Sequence, residues 1–254
     1  MIRGVLFDLF HTLTDVESNW SDLPWTSDVL GIDRTEWNAA LTQRSRWRLA
    51  GEVRDPRQIV ATLARELRPD ISDEVIDQAV AVRIERFRHT FQRIPDENVR
   101  LIDELRRVGI RTALVSNADA MEVAAYGSSP LAGRFDAEVF SCEVGLVKPE
   151  AEIYLRALRA IGLDASECIF VGDGGSNELE GARSVGLQTV FVSIGVEDLW
   201  PDQVDRRASV ADHRVRRPSE ILVLAPFATA AHLALEARPG YAEPGSGLNG
   251  ITLV

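Results

Sequence analysis

The chain has 254 residues, 45% of them hydrophobic and 26% charged, with 39 acidic against 28 basic side chains and a net charge of -11. That length supports one large domain or two modest ones. The acidity argues against a nucleic-acid or anionic-membrane partner, because phosphate surfaces recruit basic patches, but it leaves open a small phosphorylated substrate, which answers to a local site.

No stretch approaches the roughly 20 apolar residues of a membrane span. The first apolar run is interrupted by Asp8, which is not a signal-peptide pattern. Cys142 and Cys168 have neither metal-ligand nor disulfide-framework spacing. Buried reduced thiols and a cytoplasmic location are the expectation.

Val5-Leu6-Phe7, a short apolar run bounded by polar residues, reads as a buried parallel strand. It delivers Asp8 into a short loop closed by Thr12. Ligands bind at the carboxyl ends of such strands in open α/β sheets. A carboxylate there suits a nucleophile or a metal ligand, and equally a turn or a helix cap. Residues 14–33 read as loop, with Trp20, Pro24, Trp25 and Gly31. From Asp33 to Arg93 the pattern is helical. Asp33 and Glu36 have the form of a capping box, and Trp37, Leu41, Arg44 and Trp47 follow at three- and four-residue spacing. Asp55-Pro56 opens a second helix with Ile59, Leu63 and Leu67 on one face, ending before Pro69. Ser72 opens a third, through Val75, Ala79, Val82 and Phe87.

The pattern then alternates. A helix capped by Asp96 stops at Gly109, and a strand follows over 112–116. A helix over 119–126 leads to a strand over 137–141, and a helix from Pro149 to Ile161 ends at Gly162. The strand 168–172, a helix over 178–185 and a strand over 189–193 complete the series. This is a parallel sheet with right-handed crossovers, interrupted after its first strand by an all-helical block. Residues 219–224 fit a closing helix or edge element, and the Pro- and Gly-containing last thirty residues read as a loosely packed tail.

Four strand ends present polar residues: Asp8, Ser116-Asn117, Lys148-Pro149 after Gly145-Leu-Val, and Gly172-Asp-Gly-Gly-Ser-Asn-Glu178. In order and spacing these four motifs, with the helical block after the first, resemble the haloacid dehalogenase-like hydrolase superfamily. The likeness covers residues 1–225 and places this chain in the branch whose cap is inserted after the first strand. It implies an α/β fold: a Rossmann-like parallel sheet core flanked by helices (1–13 and 96–225), an inserted all-helical cap (14–95) and a tail (226–254).

The resemblance also implies roles. Asp8 stands where the family's nucleophile stands and would form a covalent aspartyl intermediate. Ser116 and the backbone N–H groups after it would hold the oxygens of the transferred group, and Lys148 would neutralise charge on Asp8 and the substrate. Pro149, as first helical residue, would aim Lys148. Mg²⁺ would be held directly by Asp8, the Phe10 carbonyl and Asp173, and through water by Glu178. As a plain first-turn acid Glu178 has a second reading. Thr12, Asn117 and Phe10 would border the substrate. Arg44, Arg46 and Arg48 offer one guanidinium to hold a carboxylate or phosphate. The early tryptophans, Trp20, Trp25, Trp37 and Trp47, read as cap core or as pocket wall.

One position departs from the family's phosphatases, which carry a second Asp two residues after the nucleophile, as the proton donor to the leaving alkoxide. Here that residue is Phe10, and the help it forgoes is worth about 10²–10⁴-fold. Three readings follow. His11, at a position usually Gly in the family, or a cap residue replaces the acid. Alternatively, the leaving group is good enough to need none, as in an acyl phosphate. Or the chain resembles the 2-haloacid dehalogenases, which also carry an aromatic residue there but need no metal and replace the first acid of the fourth motif with Ser. Asp173 favours a metal and phosphoryl chemistry. The expectation is a hydrolase, monomeric or homodimeric, releasing phosphate from a small molecule with Mg²⁺. Halide release from a 2-haloacid is the alternative, and a further one is a binding protein that kept the fold without turnover.

Overall fold

The computed structural model describes residues 2–16 and 22–224. Trp20 and the tail 226–254 therefore lie outside the described residues. Among the described residues six strands form one fully parallel sheet in the order β3-β2-β1-β4-β5-β6. They are β1 (Gly4–Phe7), β2 (Arg111–Ser116), β3 (Ala137–Phe140), β4 (Cys168–Gly172), β5 (Gln188–Val192) and β6 (His213–Val215). From β1 the chain moves outward through β2 and β3, then returns to the other side of β1 with β4. The carboxyl ends of β1 and β4 thus flank the point where the winding reverses, the place where open α/β sheets bind ligands.

Side-chain alternation builds two cores from one sheet. Val5, Phe7, Leu114, Ile169, Val171 and Val190 face one apolar cluster, while Leu6, Ala113, Val115, Phe170 and Phe191 face the other. Successive strand residues point to opposite faces, so near-continuous apolar strands need helices on both sides. Leu101, Ile102 and Leu105 of α6 (Asp96–Arg107) cover the first face, with α7 (Ala120–Tyr126). Ile153, Tyr154, Ala157 and Leu158 of α9 (Ala151–Ile161) cover the second, with Leu179 and Ala182 of α10 (Glu178–Ser184). Gly162, at φ 69°, closes α9 in the left-handed conformation that favours glycine.

Between β1 and α6 runs a helical insert: α1 (Thr26–Leu30), α2 (Arg34–Gln43), α3 (Ser45–Leu49), α4 (Pro56–Leu67) and α5 (Asp73–Gln92). It carries its own apolar cluster around Leu30, Trp37, Ile59, Leu63, Ile76 and Ala79. The N-caps expected from sequence form: Asp33 accepts from the Thr35 and Glu36 N–H groups, without the return bond from Glu36 that would make a capping box, Asp55 accepts from Arg57, and Ser72 from Val75.

Several local expectations are corrected. Among the described residues five insert helices replace three, because α1 lies in the stretch read as loop and the chain breaks at Arg44 between α2 and α3. Trp47 still packs on the same cluster, so its spacing ran across the break unnoticed. Asp96 is the first residue of α6, after Pro95. Its carboxylate suits that end of the helix dipole without capping it. Pro149 precedes α9 by two residues, after a cis Lys148–Pro149 bond, and is not its first residue. Residues 218–223 form a 3-10 turn. Further short elements, α8 (Ser141–Val144), α11 (Ile194–Leu199), α12 (Val204–Ser209) and β6, escaped the sequence reading because three to six residues hold too little periodicity.

Among the described residues no helix is long and apolar enough to cross a membrane. Cys142 and Cys168 are buried free thiols, and burial pushes them up to about 11 and about 12.

Candidate active site

β1 ends where Asp8 enters a cavity of ≈ 280 Å³ at the strand ends. Lys148 Nζ donates to Asp8 Oδ1 and to Glu178 Oε2, both at 2.5 Å. Thr12 Oγ1 donates to the other Asp8 oxygen at 2.9 Å. Glu178 Oε1 accepts the Gly174 N–H at 2.9 Å. Lys148 and Glu178 side chains are each 2% exposed, so the pair is dry. Glu178 is thus the centre of a buried network and not a solvated first-turn acid. A Cβ at Gly172 would lie 2.3 Å from Glu178 Oε1, which explains the glycine that ends β4.

Asp173 completes the acidic group. Its Oδ1 accepts the Gly175 N–H at 2.9 Å, and Arg207 Nη1 donates to its Oδ2 at 2.7 Å and its carbonyl at 2.8 Å. One carboxylate oxygen from each of Asp8, Asp173 and Glu178 lies within 4.8 Å of the others. With all groups ionised, three carboxylates face the two cations Lys148 and Arg207, leaving one negative charge in excess. All-oxygen donors at this spacing fit a hard divalent cation that keeps some of its water.

Burial is the largest influence on Asp8 and Glu178 and holds both carboxyls above their ordinary range, with Lys148 opposing it and the neighbouring acids adding to it. Burial disfavours the charge on Lys148, yet Asp8 and Glu178 outweigh it and raise the ammonium above its usual value.

The other expected site residues divide. His11 and Phe10 line this cavity. His11 holds a left-handed φ of 58° and meets the Trp200 ring edge-on at 5.2 Å. Phe10 packs against Phe87 at 6.0 Å and Phe91 at 5.8 Å, both on α5. Asn117 lines the cavity, but its amide is spent on Lys148: Oδ1 accepts the Lys148 N–H at 2.8 Å and Nδ2 donates to its carbonyl at 3.0 Å. Asn117 therefore positions the lysine. Thr12 is buried, donates to Asp8 and does not line the cavity. Ser116 is fully buried, with no partner for its hydroxyl among the described residues, and it does not form the cavity wall.

The arginine expectation is corrected. Arg44 pairs with Glu66 at 2.8 Å on the insert surface and Arg46 pairs with Glu150. Arg48 is buried against Asp119 at 2.9 Å. Arg83 of α5 joins Asp119 at 3.4 Å and Glu122 at 3.3 Å. This four-residue cluster ties the insert to the amino end of α7. Arg83 and Arg48 outweigh burial and hold Asp119 below its ordinary range, while burial, then the charge of Asp119, pushes Glu122 up to about 7. Neither Arg83 nor Arg207 carried a sequence signal. Arg207 lies more than thirty residues beyond Asp173, on a helix too short to show a period.

Glyceraldehyde 3-phosphate phosphatase of Methanopyrus kandleri is 34% identical over 89 residues, 35% of this chain, and the chain spans 37% of that enzyme's length. The plasmid protein CbbY of Cupriavidus necator is 28% identical over 202 residues, covering 74% of this chain and 77% of CbbY. The structure of L-2-haloacid dehalogenase from Xanthobacter autotrophicus with covalently bound chloropropionic acid superposes with a TM-score of 0.61 at 18% identity, covering 88% of this chain and 98% of the other. At that identity the likeness is one of fold. The family model of the haloacid dehalogenase-like hydrolases matches residues 2–186, and the chain belongs to that hydrolase family.

Proposed function

We propose that this hydrolase releases phosphate from a small molecule through a covalent intermediate on Asp8, with Mg²⁺ held by Asp8, Asp173, the Phe10 carbonyl and Glu178. The observation that carries this reading is the convergence of the Asp8, Asp173 and Glu178 oxygens within 4.8 Å, with Lys148 and Arg207 beside them. When bound, the cation would draw charge off the phosphoryl oxygens and favour the ionised nucleophile. Lys148 would hold Asp8 in its attacking orientation and meet the charge that develops on the transferred group. Thr12 fixes the second oxygen of Asp8, and Asn117 fixes the backbone of Lys148. The insert acts as a cap that admits the substrate and excludes water, and the protein works in the cytoplasm.

A second reading rests on Phe10. It offers no proton, and halide leaves without one. In that reading Asp8 attacks the halogen-bearing carbon of a 2-haloacid and no metal takes part. A panel of phosphate esters, acyl phosphates and 2-haloacids, assayed with Mg²⁺ and with EDTA, separates the two. Phosphate release abolished by EDTA is the expected result; EDTA-resistant halide release overturns it.

A further inference from the structure

Phe10 and His11 line two cavities at once. One is the polar cavity around Asp8. The other, ≈ 290 Å³, lies under the insert; Phe10, Trp25, Trp37 and Phe87, with Leu41, make the apolar part of its wall, and Asp15, Arg34 and Asn38 are among the polar residues that complete it. The Arg83 guanidinium lies 4.8 Å from the Phe87 ring centre, fixing one side of that wall. An apolar cavity of about 150 Å³ accepts benzene. The volume here suits one substituted ring or two fused ones, and aromatic walls favour a flat aromatic guest.

The same side chain that closes this ring cavity also leaves the reaction without its usual proton donor. Both consequences suit one kind of molecule. We infer that the substrate is the phosphate monoester of a phenol, with its ring in the cavity under the insert and its phosphoryl group against Asp8; this rests on the phosphoryl reading of the site. A phenol has a pKa near ~10, as tyrosine does, whereas an alkanol is about as weak an acid as water, at ~15.7. A phenoxide therefore departs unprotonated, where an alkoxide needs an acid. In the first step an Asp8 oxygen bonds to phosphorus and the phosphorus–aryl oxygen bond breaks. The phenoxide leaves with that electron pair and takes a proton from solvent. Water then bonds to phosphorus, the Asp8–phosphorus bond breaks, the carboxylate is restored and one proton returns to solvent.

Four substrates cross the ring with the leaving group: phenyl phosphate, benzyl phosphate, acetyl phosphate and glycerol phosphate, assayed for phosphate release by the full chain with Mg²⁺. The expected result is a kcat for phenyl phosphate at least 100-fold above that for benzyl phosphate, about what a missing general acid costs. Benzyl phosphate should nonetheless compete with an inhibition constant within about threefold of the phenyl phosphate KM, because the ring cavity binds both. Acetyl phosphate should turn over with a KM at least about tenfold higher, having no ring to bury, and glycerol phosphate should be the poorest. Leu41→Trp, which fills the ring cavity, should bring the phenyl and acetyl KM values together. Turnover of acetyl phosphate without any advantage for phenyl phosphate overturns this inference and leaves the phosphoryl reading standing. No phosphate from either overturns both.

Discussion

Arg207 reaches across from α12 to bond both the backbone carbonyl and a carboxylate oxygen of Asp173, at 2.8 and 2.7 Å. Its other nitrogens donate to Gln203 at 3.2 and 2.9 Å, and its guanidinium lies 5.0 Å from the Trp200 ring centre. Asp173 is thereby held in one rotamer, with its second oxygen tied to Gly175. Groups that orient metal ligands typically contribute 10–100-fold in affinity or activity. Arg207→Gln should weaken Mn²⁺ binding, read by electron paramagnetic resonance, by about that factor. It should also lower unfolding free energy by about 3–5 kcal/mol, as a buried carboxylate loses its partner. Arg207→Lys keeps the charge but not the fork and should recover only part of either.

Asp8→Asn tests the nucleophile separately from the fold. Turnover should fall at least about 10³-fold, in line with removing a reacting side chain. Stability should not fall with it, because Asp8 is one of three carboxylates crowded against two cations and burial disfavours its charge. Calorimetry showing an equal or higher Tm beside lost turnover would separate chemistry from structure; a large drop in Tm would make Asp8 a structural acid.

Phe10→Asp restores a proton donor at a position now packed on Phe87 and Phe91. Benzyl phosphate turnover should rise toward that of phenyl phosphate, by about 10²-fold. Losing a packed ring should cost about 3–5 kcal/mol in denaturant unfolding. No change in the benzyl-to-phenyl ratio would mean that leaving-group protonation does not limit the reaction.

The buried cluster between insert and core should make stability depend on pH. Glu122 is pushed up to about 7 from an ordinary 4.5, so between those values the folded chain holds a proton that the unfolded chain has lost. Stability must therefore fall as pH rises through that window. Glu122→Gln should make this slope shallower by Glu122's own share, about 3 kcal/mol at most at 1.36 kcal/mol per pKa unit, and leave the part owed to Asp8 and Glu178, which are also held above their ordinary range. Asp119, facing Arg48 and Arg83, is held below its ordinary value, and its contribution is lost only as pH drops below the usual carboxylate range. Urea unfolding of both proteins at intervals from pH 4.5 to 7 checks the sign.

Much of the fold was legible because it repeats locally. Strand β4 falls at the expected residues, and β2, β3 and β5 start or end within one residue of expectation. The alternation of apolar strands with amphipathic helices, punctuated by Gly109, Gly162 and Gly186, specifies a parallel sheet without reference to distant contacts. Helices of six residues or fewer, and the three-residue β6, were lost for the same reason, since a turn or two carries no measurable period.

The candidate site was legible only where its residues close strands. Asp8, Asn117, Lys148, Asp173 and Glu178 line one cavity because parallel strands bring all their carboxyl ends to one edge of the sheet. Position along the chain therefore determined which residues gather. What each does with its hydrogen bonds was decided by tertiary structure. Asn117 turned to Lys148, Thr12 to Asp8, Arg48 to Asp119, and Arg207 arrived from a segment with no motif. A buried polar group must find a partner in whatever fold surrounds it, and that partner is set by three-dimensional proximity, which sequence spacing does not encode. Phe10 shows both sides: sequence alone showed that it cannot donate a proton, and only the packed structure made it the shared wall of a polar and an aromatic cavity.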